Sequence, residues 1–484
     1  MKKSMKIERK IYAVIIALML TGIFSSVATS SWLNYTGPNG SYAWTSTDQS
    51  YIVCSNGNRY NATASDAQKA VNSLSNVSGK VNFNNLFINL TTTLKLGTGC
   101  EICNFNFSIA NSANKTLIMN YNLASGNKGI YIHDGYINGN GLNQPHGSST
   151  YLMYDQSCGI WLVKCSNSTI RDVTIRNTAY EGCAVQQGKN YILGNIRVFY
   201  AGYVCYVSGT PGKDYYSAGG IFVYNCSDCT VSNCIVNNTY ATGFVIESTL
   251  PSLAKWKAHD IQLTNCFVCN TTIGYYFEDA FNDTLTNCIA SGCSIIKEVP
   301  YSAAIGFFGS ARGDVCNYLK FYSCYATHCG QGFSIGSENA TFSGCNVEYC
   351  TKGIYMTTNG TTVTGCHVFH SAQHDFYVNG KNNVFSGDTT YGGGSGYASI
   401  ALGPLCRNNS FSACNLRQSG AYAPEFSLYE FSGADYTHAD ASNNFYATDY
   451  GVYARLRGSH SYYLLVNAST AKIGVNTSAG VTWK

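Results

Sequence analysis

The sequence predicts an all-β solenoid, a coil of short strands stacked in parallel, and three observations carry the prediction. From about Asn225 to Asn379 one pattern recurs with a period of roughly 21 to 25 residues, in segments reading TVSNCIVNNTYATGFVIES, QLTNCFVCNTTIGYYFED, LKFYSCYATHCGQGFSIGS, ATFSGCNVEYCTKGIYMTT and TTVTGCHVFHSAQHDFYVN. Each copy has an apolar or aromatic residue, a Cys about three positions on, a Val, Ile or Ala two further, and a Gly about eight after the Cys. Apolar residues alternate in short pieces rather than recurring at three and four, so these are strands and not amphipathic helix. Three strands and three turns fit in about 22 residues, as in a coil whose strands stack in parallel.

This repeat resembles the right-handed parallel β-helix of the pectate-lyase-like families, and the resemblance covers most of the chain. It implies an all-β right-handed parallel β-helix of about 11 or more coils with an N-terminal capping helix. It says little about chemistry, because one solenoid carries lyases, hydrolases, adhesins and viral spikes.

Taken in order, the chain opens with Lys2, Lys3, Lys6, Arg9 and Lys10, an apolar run from Ile11 to Leu20, and the small residues Ser26-Val27-Ala28. Residues 1–28 are therefore expected to be a secretory signal peptide, with an uncleaved membrane anchor as the alternative. Residues 29–80 form the expected lead-in. Within it Ala67, Ala70, Val71 and Leu74 fall on one helical face, which predicts a helix over Ser65–Leu74 with Ser65 and Gln68 as a capping box. Such a helix would cover the open end of the first coil, whose exposed strand edges would otherwise invite pairing. The flanking YIVCSNGNRYNATASDAQKAV and GKVNF resemble the start of secreted pectate-lyase-like proteins. YINGNG at Tyr136 to Gly141 resembles the I-D-G-x-G turn of polygalacturonases, with Asn138 where that family has Asp.

Residues 81–385 are the expected β-helix proper. Gly129, Gly159, Gly182, Gly202, Gly220, Gly243, Gly274, Gly306, Gly332 and Gly353, with Asp375 in the same place, open one strand per coil. At ~4.8 Å per coil, about 11 coils make a rod on the order of 50 Å long. After Ser386 the pattern loosens, and residues 386–484 are read as irregular final coils and a C-terminal cap, or a small separate domain from about Glu425.

Composition fits an extracellular protein. Charged residues are 12% of the chain, about half the usual ~25%, while there are 38 Tyr. A net charge of +4 over 484 residues excludes nucleic acid as an expected partner. Seventeen Asn-x-Ser/Thr sequons, among them Asn34, Asn61, Asn114, Asn237, Asn282, Asn359 and Asn476, suit a glycosylated surface, and also suit Asn-rich turns.

Of the 22 Cys, Cys234, Cys266, Cys288, Cys324, Cys345 and Cys366 share one place in the repeat, and Cys293, Cys329 and Cys350 another. Stacked rungs ~4.8 Å apart lie within reach of a disulfide. Two arrangements are open: bridges between coils, or an unbridged ladder of buried thiols where related solenoids stack Asn. The repeat explains Cys226/Cys229 and Cys266/Cys269 without zinc.

The register also locates a candidate site. The residue four after each strand-opening Gly and the one two before it share an outward face, with Ile246 and Phe277 pointing inward between them. Outward columns then hold Tyr206, Tyr224, Phe222, Tyr276 and Phe308 beside Glu247 and Glu278, as a sugar groove would, since rings stack on apolar sugar faces and carboxylates bind hydroxyls. Insertions after this strand carry Lys213, Lys255, Trp256, Lys257, His259 and Arg312, and positive walls favour an acidic polysaccharide. Glu247 and Glu278, one coil apart with Asp279 adjacent, could serve as a retaining glycosidase pair, share a proton, hold calcium, or be solvated acids paired with Lys255 or Lys257. Polyuronate lyases of this fold use calcium and an Arg or Lys base, and the resemblance would give that role to Arg312, Lys255 or Lys257. CGQGFSIGS at Cys329 to Ser337 resembles the G-H-G-I-S-I-G-S segment of polygalacturonases, with Gln331 for His. The paired Asp of that family are replaced by Ala303-Ala304, no R-I-K follows, and polygalacturonase activity is not expected. No R-x-P-x-x-R lyase motif occurs, and Glu181 finds no partner in the neighbouring coils. The expected function is a secreted or cell-surface rod that binds, and as an enzyme would cleave, an extracellular anionic polysaccharide. The alternative is a non-catalytic adhesin or envelope component.

Overall fold

The computed structural model describes residues 49–74, 78–144, 157–202, 218–248, 257–295, 304–310, 316–417, 424–431, 434–439, 442–445 and 450–454, with short strands at 35–37, 40–42, 462–463, 474–475 and 482–483. The expected signal peptide and Tyr206, Lys213, Lys255, Trp256 and Arg312 lie outside the described residues. Among those residues no helix is long and apolar enough to cross a membrane.

Each coil contributes one strand to a 15-stranded parallel sheet and, to a second wall, either one long strand, as in Cys100–Ile109, Tyr131–Asn138 and Thr169–Arg176, or, from Ile192 onward, two shorter ones. A representative coil runs Thr242–Glu247, Gln262–Thr264 and Phe267–Cys269 before the next long-sheet strand, Ile273–Glu278, begins. Fifteen strands at ~4.8 Å make a rod of roughly 70 Å, longer than the repeat count alone suggested, because the irregular C-terminal coils continue the same sheet. Strand Phe426–Glu430 pairs in parallel with Ala398–Leu402 before it and Tyr450–Ala454 after it.

The corners set this shape. The residue between the two short strands adopts a left-handed conformation, at Asn233 (φ 54°), Asn265 (φ 53°) and Asn287 (φ 54°), which Asn tolerates better than most residues. Their side chains stack from coil to coil, Asn265 donating to Asn233 and Asn287 to Asn265, each at 3.3 Å. The next residue is the repeated Cys, turned inward. All 21 cysteines among the described residues are free thiols. Cys266 donates to the Val231 carbonyl of the preceding coil at 3.6 Å and Cys345 to that of Phe321 at 3.3 Å. Asn443 occupies the same rung near the C-terminal end and donates to Phe411 O at 2.9 Å, so thiols stand in for an amide ladder.

Inside, the long sheet stacks Phe244, Tyr275, Phe307 and Phe333, with ring centroids 4.9, 4.7 and 4.4 Å apart and planes within 8°. The repeated Gly follows from close approach. A Cβ on Gly243 would lie 2.3 Å from Val268 Cγ2 and 2.6 Å from Gly274 O.

The capping helix α1 spans Ala64–Asn72 and buries Ala67, Ala70 and Val71. Its cap differs from the expected Ser65/Gln68 box: Thr63 is the N-cap, and its hydroxyl accepts from Asp66 N at 3.1 Å. Gln68 instead pairs with the backbone of Lys95, accepting from its N–H (2.9 Å) and donating to its carbonyl (3.2 Å). It thereby blocks the free edge of the first long-sheet strand, Leu94–Leu96.

Candidate functional site

Strand alternation turns the residue between two core positions outward, and parallel pairing in register stacks such residues into columns. On the outer face of the long sheet, one column runs Trp161, Ala184, Phe222, Val245, Tyr276, Phe308, Ser334, Tyr355 and Tyr377. Its neighbour runs Val163, Gln186, Tyr224, Glu247, Glu278 and Ser310. Ile246 and Phe277 lie in the core between them.

The first half of this face is closed. Trp161, Phe222, Tyr224 and Val245 form an apolar cluster with Met119 and Cys158, and Tyr224 is 4% exposed. Trp161 stacks over Tyr224 (6.1 Å, 22°) and donates its indole N–H to Gln186 Oε1 at 3.2 Å. Tyr224 is therefore a buried ring rather than an open platform. Beside it, the Cys158 thiol donates to Glu181 Oε2 at 3.0 Å. Glu181 thus does have a partner one coil away, missed because a thiol rather than an acid holds that rung. Burial pushes Glu181 up to about 8.

The second half is half-buried. Tyr276 and Phe308 stack at 5.3 Å and 23°. The Tyr276 hydroxyl donates to Glu278 Oε2 at 2.7 Å, and Glu278 is 4% exposed. Glu247 is half-buried and faces Glu278 in register across one strand spacing of ~4.8 Å. Asp279 follows in a left-handed turn (φ 49°). Its carbonyl accepts from the Ser248 hydroxyl at 2.7 Å, and the same oxygen of Ser248 accepts from Ala258 N at 2.9 Å. This serine ties together the two ends of the 249–256 insertion, with Lys257 half-buried at its base. Among the described residues no three acidic, histidine or cysteine side chains converge as a metal-binding group.

Farther along the same column, Tyr355 and Tyr377 stack at 4.6 Å with planes 3° apart, and Lys352 Nζ lies 5.6 Å from the Tyr355 ring centroid. Tyr429 and Phe431 extend this aromatic surface, their rings 4.8 Å apart. The sequence reading did not reach these rings, although counting two past Gly353 and Asp375 finds Tyr355 and Tyr377.

The densest charge cluster lies elsewhere, on the first coils. Lys80 and His133 each contact Glu101 Oε1 at 2.9 Å, and His133 Nδ1 meets Asp134 at 2.7 Å. Burial alone would lower His133, but hydrogen bonds to Asp134 and Glu101 raise it above the usual range. Each charge here is already answered by another, as in a structural network.

The profile of a family described as right handed beta helix region matches residues 146–312 and 214–361, and the fold is a right-handed parallel β-helix. No curated protein sequence matches it. Among solved structures it is similar to the Streptococcus pneumoniae surface protein and adhesin PfbA, at 12% identity and TM-score 0.49 over 76% of this chain and 96% of that one. It is also similar to the N-terminal fragment of bacteriophage Phi29 gene product 12, at 11% identity and TM-score 0.43 over 82% and 89%. A Yersinia enterocolitica family 28 exopolygalacturonase gives 12% identity and TM-score 0.43 over 78% and 76%. These are likenesses of fold, and the functional reading below rests on side chains.

Proposed function

We propose that this chain is an extracellular or cell-surface rod that binds an extended polysaccharide along the outer face of its long sheet. The observation that carries the reading is the ring column Tyr276, Phe308, Tyr355 and Tyr377, half-buried and set beside Glu247 and Glu278 in a chain with 12% charged residues. Rings take the apolar faces of sugars, and the carboxylates take hydroxyl protons. Lys257 and Lys352 flank the rings, and Lys213, Lys255 and Arg312 belong to the adjoining insertions, which favours an anionic glycan.

Binding is better supported than cleavage, because Glu278 is occupied by the Tyr276 hydroxyl. Cleavage stands as the second reading on one observation, the in-register Glu247/Glu278 pair, whose spacing suits a retaining glycosidase. The test is a glycan array with and without calcium, followed on any hit by absorbance near 235 nm and reducing-end release. Binding without turnover, weakened in Glu247→Gln/Glu278→Gln, supports the binding rod, and binding unchanged in that variant removes the carboxylates from the site. Turnover abolished in that variant establishes the enzyme, and no glycan binding at all refutes both.

A further inference from the structure

Among the carboxylic acids sealed inside the solenoid are Glu181, Asp283, Asp375 and Asp388, each at most 1% exposed. Each has at least one carboxyl oxygen with no hydrogen-bond partner, and among the described residues no Lys or Arg forms an ion pair with any of them. Two stand in columns whose other members show what the rung demands. Asn383 accepts from Thr361 N (2.9 Å) and donates to Thr358 O (3.0 Å). Asn409 accepts from Asn383 N and donates to Gly380 O, both at 3.0 Å. Asn443 accepts from Cys414 N and donates to Phe411 O, both at 2.9 Å. Each of these three amides therefore gives a proton to the carbonyl three residues before the equivalent position of the preceding coil, and the thiols of Cys266 and Cys345 do the same, while those of Cys366 and Cys414 turn to Thr364 O and Ser412 O of their own coil.

Asp388 sits in the column of Cys345, Cys366, Cys414 and Asn443 and accepts from Cys366 N at 2.8 Å. Asp283 precedes its short strand as Asn383 does and accepts from Ile261 N at 2.8 Å. By the same register, Asp388 faces the carbonyl of Val363, and Asp283 that of Ala258, which already accepts from Phe281 N at 3.1 Å and has a second lone pair to offer. A carboxylate has no hydrogen to give and would set a charged oxygen against a carbonyl oxygen, whereas a neutral carboxylic acid has the shape and both functions of the amide. We propose that the solenoid folds around neutral carboxylic acids at Asp283 and Asp388, and is thus a rod built for an acidic medium that loosens as the medium turns alkaline.

The surroundings agree. Burial pushes Asp388 up to about 7, with the Cys345 and Cys366 thiols the titratable groups facing it and the amides of Cys366 and Ser386 pulling the other way. Burial raises Asp283 well above the carboxylate range; Asp260, Cys229 and Cys316 face it, and the one cation near it, Lys320, is bound to Asn282 at 2.7 Å. Because the folded form holds these protons more tightly, their contribution is complete below the ordinary carboxylate range and is lost as pH rises through the folded value. For Asp388, raised from 3.8 to about 7, the folding constant falls about five-hundredfold between pH 4 and pH 8. Glu101, Asp134 and Asp260 are lowered and act in the opposite sense, so the proposal is tested by difference.

The experiment is thermal unfolding of the full chain from pH 4 to pH 8 for wild type, Asp388→Asn, Asp283→Asn and the double variant. An amide supplies the donor at every pH. The variants should match wild type at pH 4 and gain on it steadily toward pH 8, the double variant most. Parallel profiles, or variants that lose ground at pH 8, overturn the proposal. Infrared spectra at pH 6 give a readout that does not depend on reversible unfolding. The neutral-carboxyl stretch should lose intensity in the double variant, and unchanged intensity would count equally against the proposal.

Discussion

Replacing Gly243 by Ala tests the coil geometry at its tightest point. The added methyl would sit 2.3 Å from Val268 Cγ2 and 2.6 Å from Gly274 O, one a side chain packed in the core and the other backbone of the next coil. Neither can yield without shifting a strand that is itself paired in register on both sides. Overpacking of this kind costs about 1–3 kcal/mol. Stability in a solenoid is close to a sum over coils and their interfaces, so the loss falls on the contacts with the coils on either side. Gly336→Ala is the control. Its methyl would meet only Gly309 O and Thr357 Oγ1, both at an ordinary 3.5 Å, and the loss of chain entropy in the unfolded state would favour it by about 0.4–1 kcal/mol. Urea unfolding followed by circular dichroism should place the Gly243→Ala midpoint below wild type and that of Gly336→Ala at or above it. Equal midpoints for the two variants would refute the close-packing account of the glycine column.

Other expectations follow from the same coordinates. Phe307→Ala removes a ring held between Tyr275 and Phe333 and should cost about 3–5 kcal/mol in thermal or chemical unfolding. The thiols should resist alkylation at pH 7 in the native protein and react on unfolding, as mass spectrometry would count, because burial pushes groups such as Cys100 and Cys103 up to about 12. His133 is raised, so its contribution is present below the usual histidine range and lost as pH rises through its folded value. His133→Gln should therefore destabilise more at pH 5 than at pH 9 in paired unfolding curves.

Much of the fold was legible because a solenoid writes its geometry into the period. The repeated Gly marked a close approach, the repeated Cys marked an inward corner, and the alternation separated Phe277 in the core from Tyr276 outside. What escaped had a different cause in each case. Whether an outward ring is open or covered depends on what packs over it, so Tyr224 and Tyr276 read alike in sequence and differ in the structure. Glu181 looked solitary because its partner one coil away is a thiol rather than an acid. Asp388 stands in the place of a Cys and of Asn443, and a column that tolerates thiol, amide and acid is recognisable only once the carbonyl each one faces is known. The helix cap moved from Ser65 to Thr63 because either can begin the same apolar face, while Gln68 was taken by the strand edge it covers.

The most direct test of the proposed function is retention of the protein on immobilised acidic and neutral polysaccharides, comparing wild type with Tyr276→Ala/Phe308→Ala and Tyr355→Ala/Tyr377→Ala, all checked for native circular dichroism. A binding rod that uses the outer column predicts that wild type is retained and that each pair of substitutions weakens retention at least tenfold. Retention unchanged by both pairs would contradict it and move the binding surface off the long sheet.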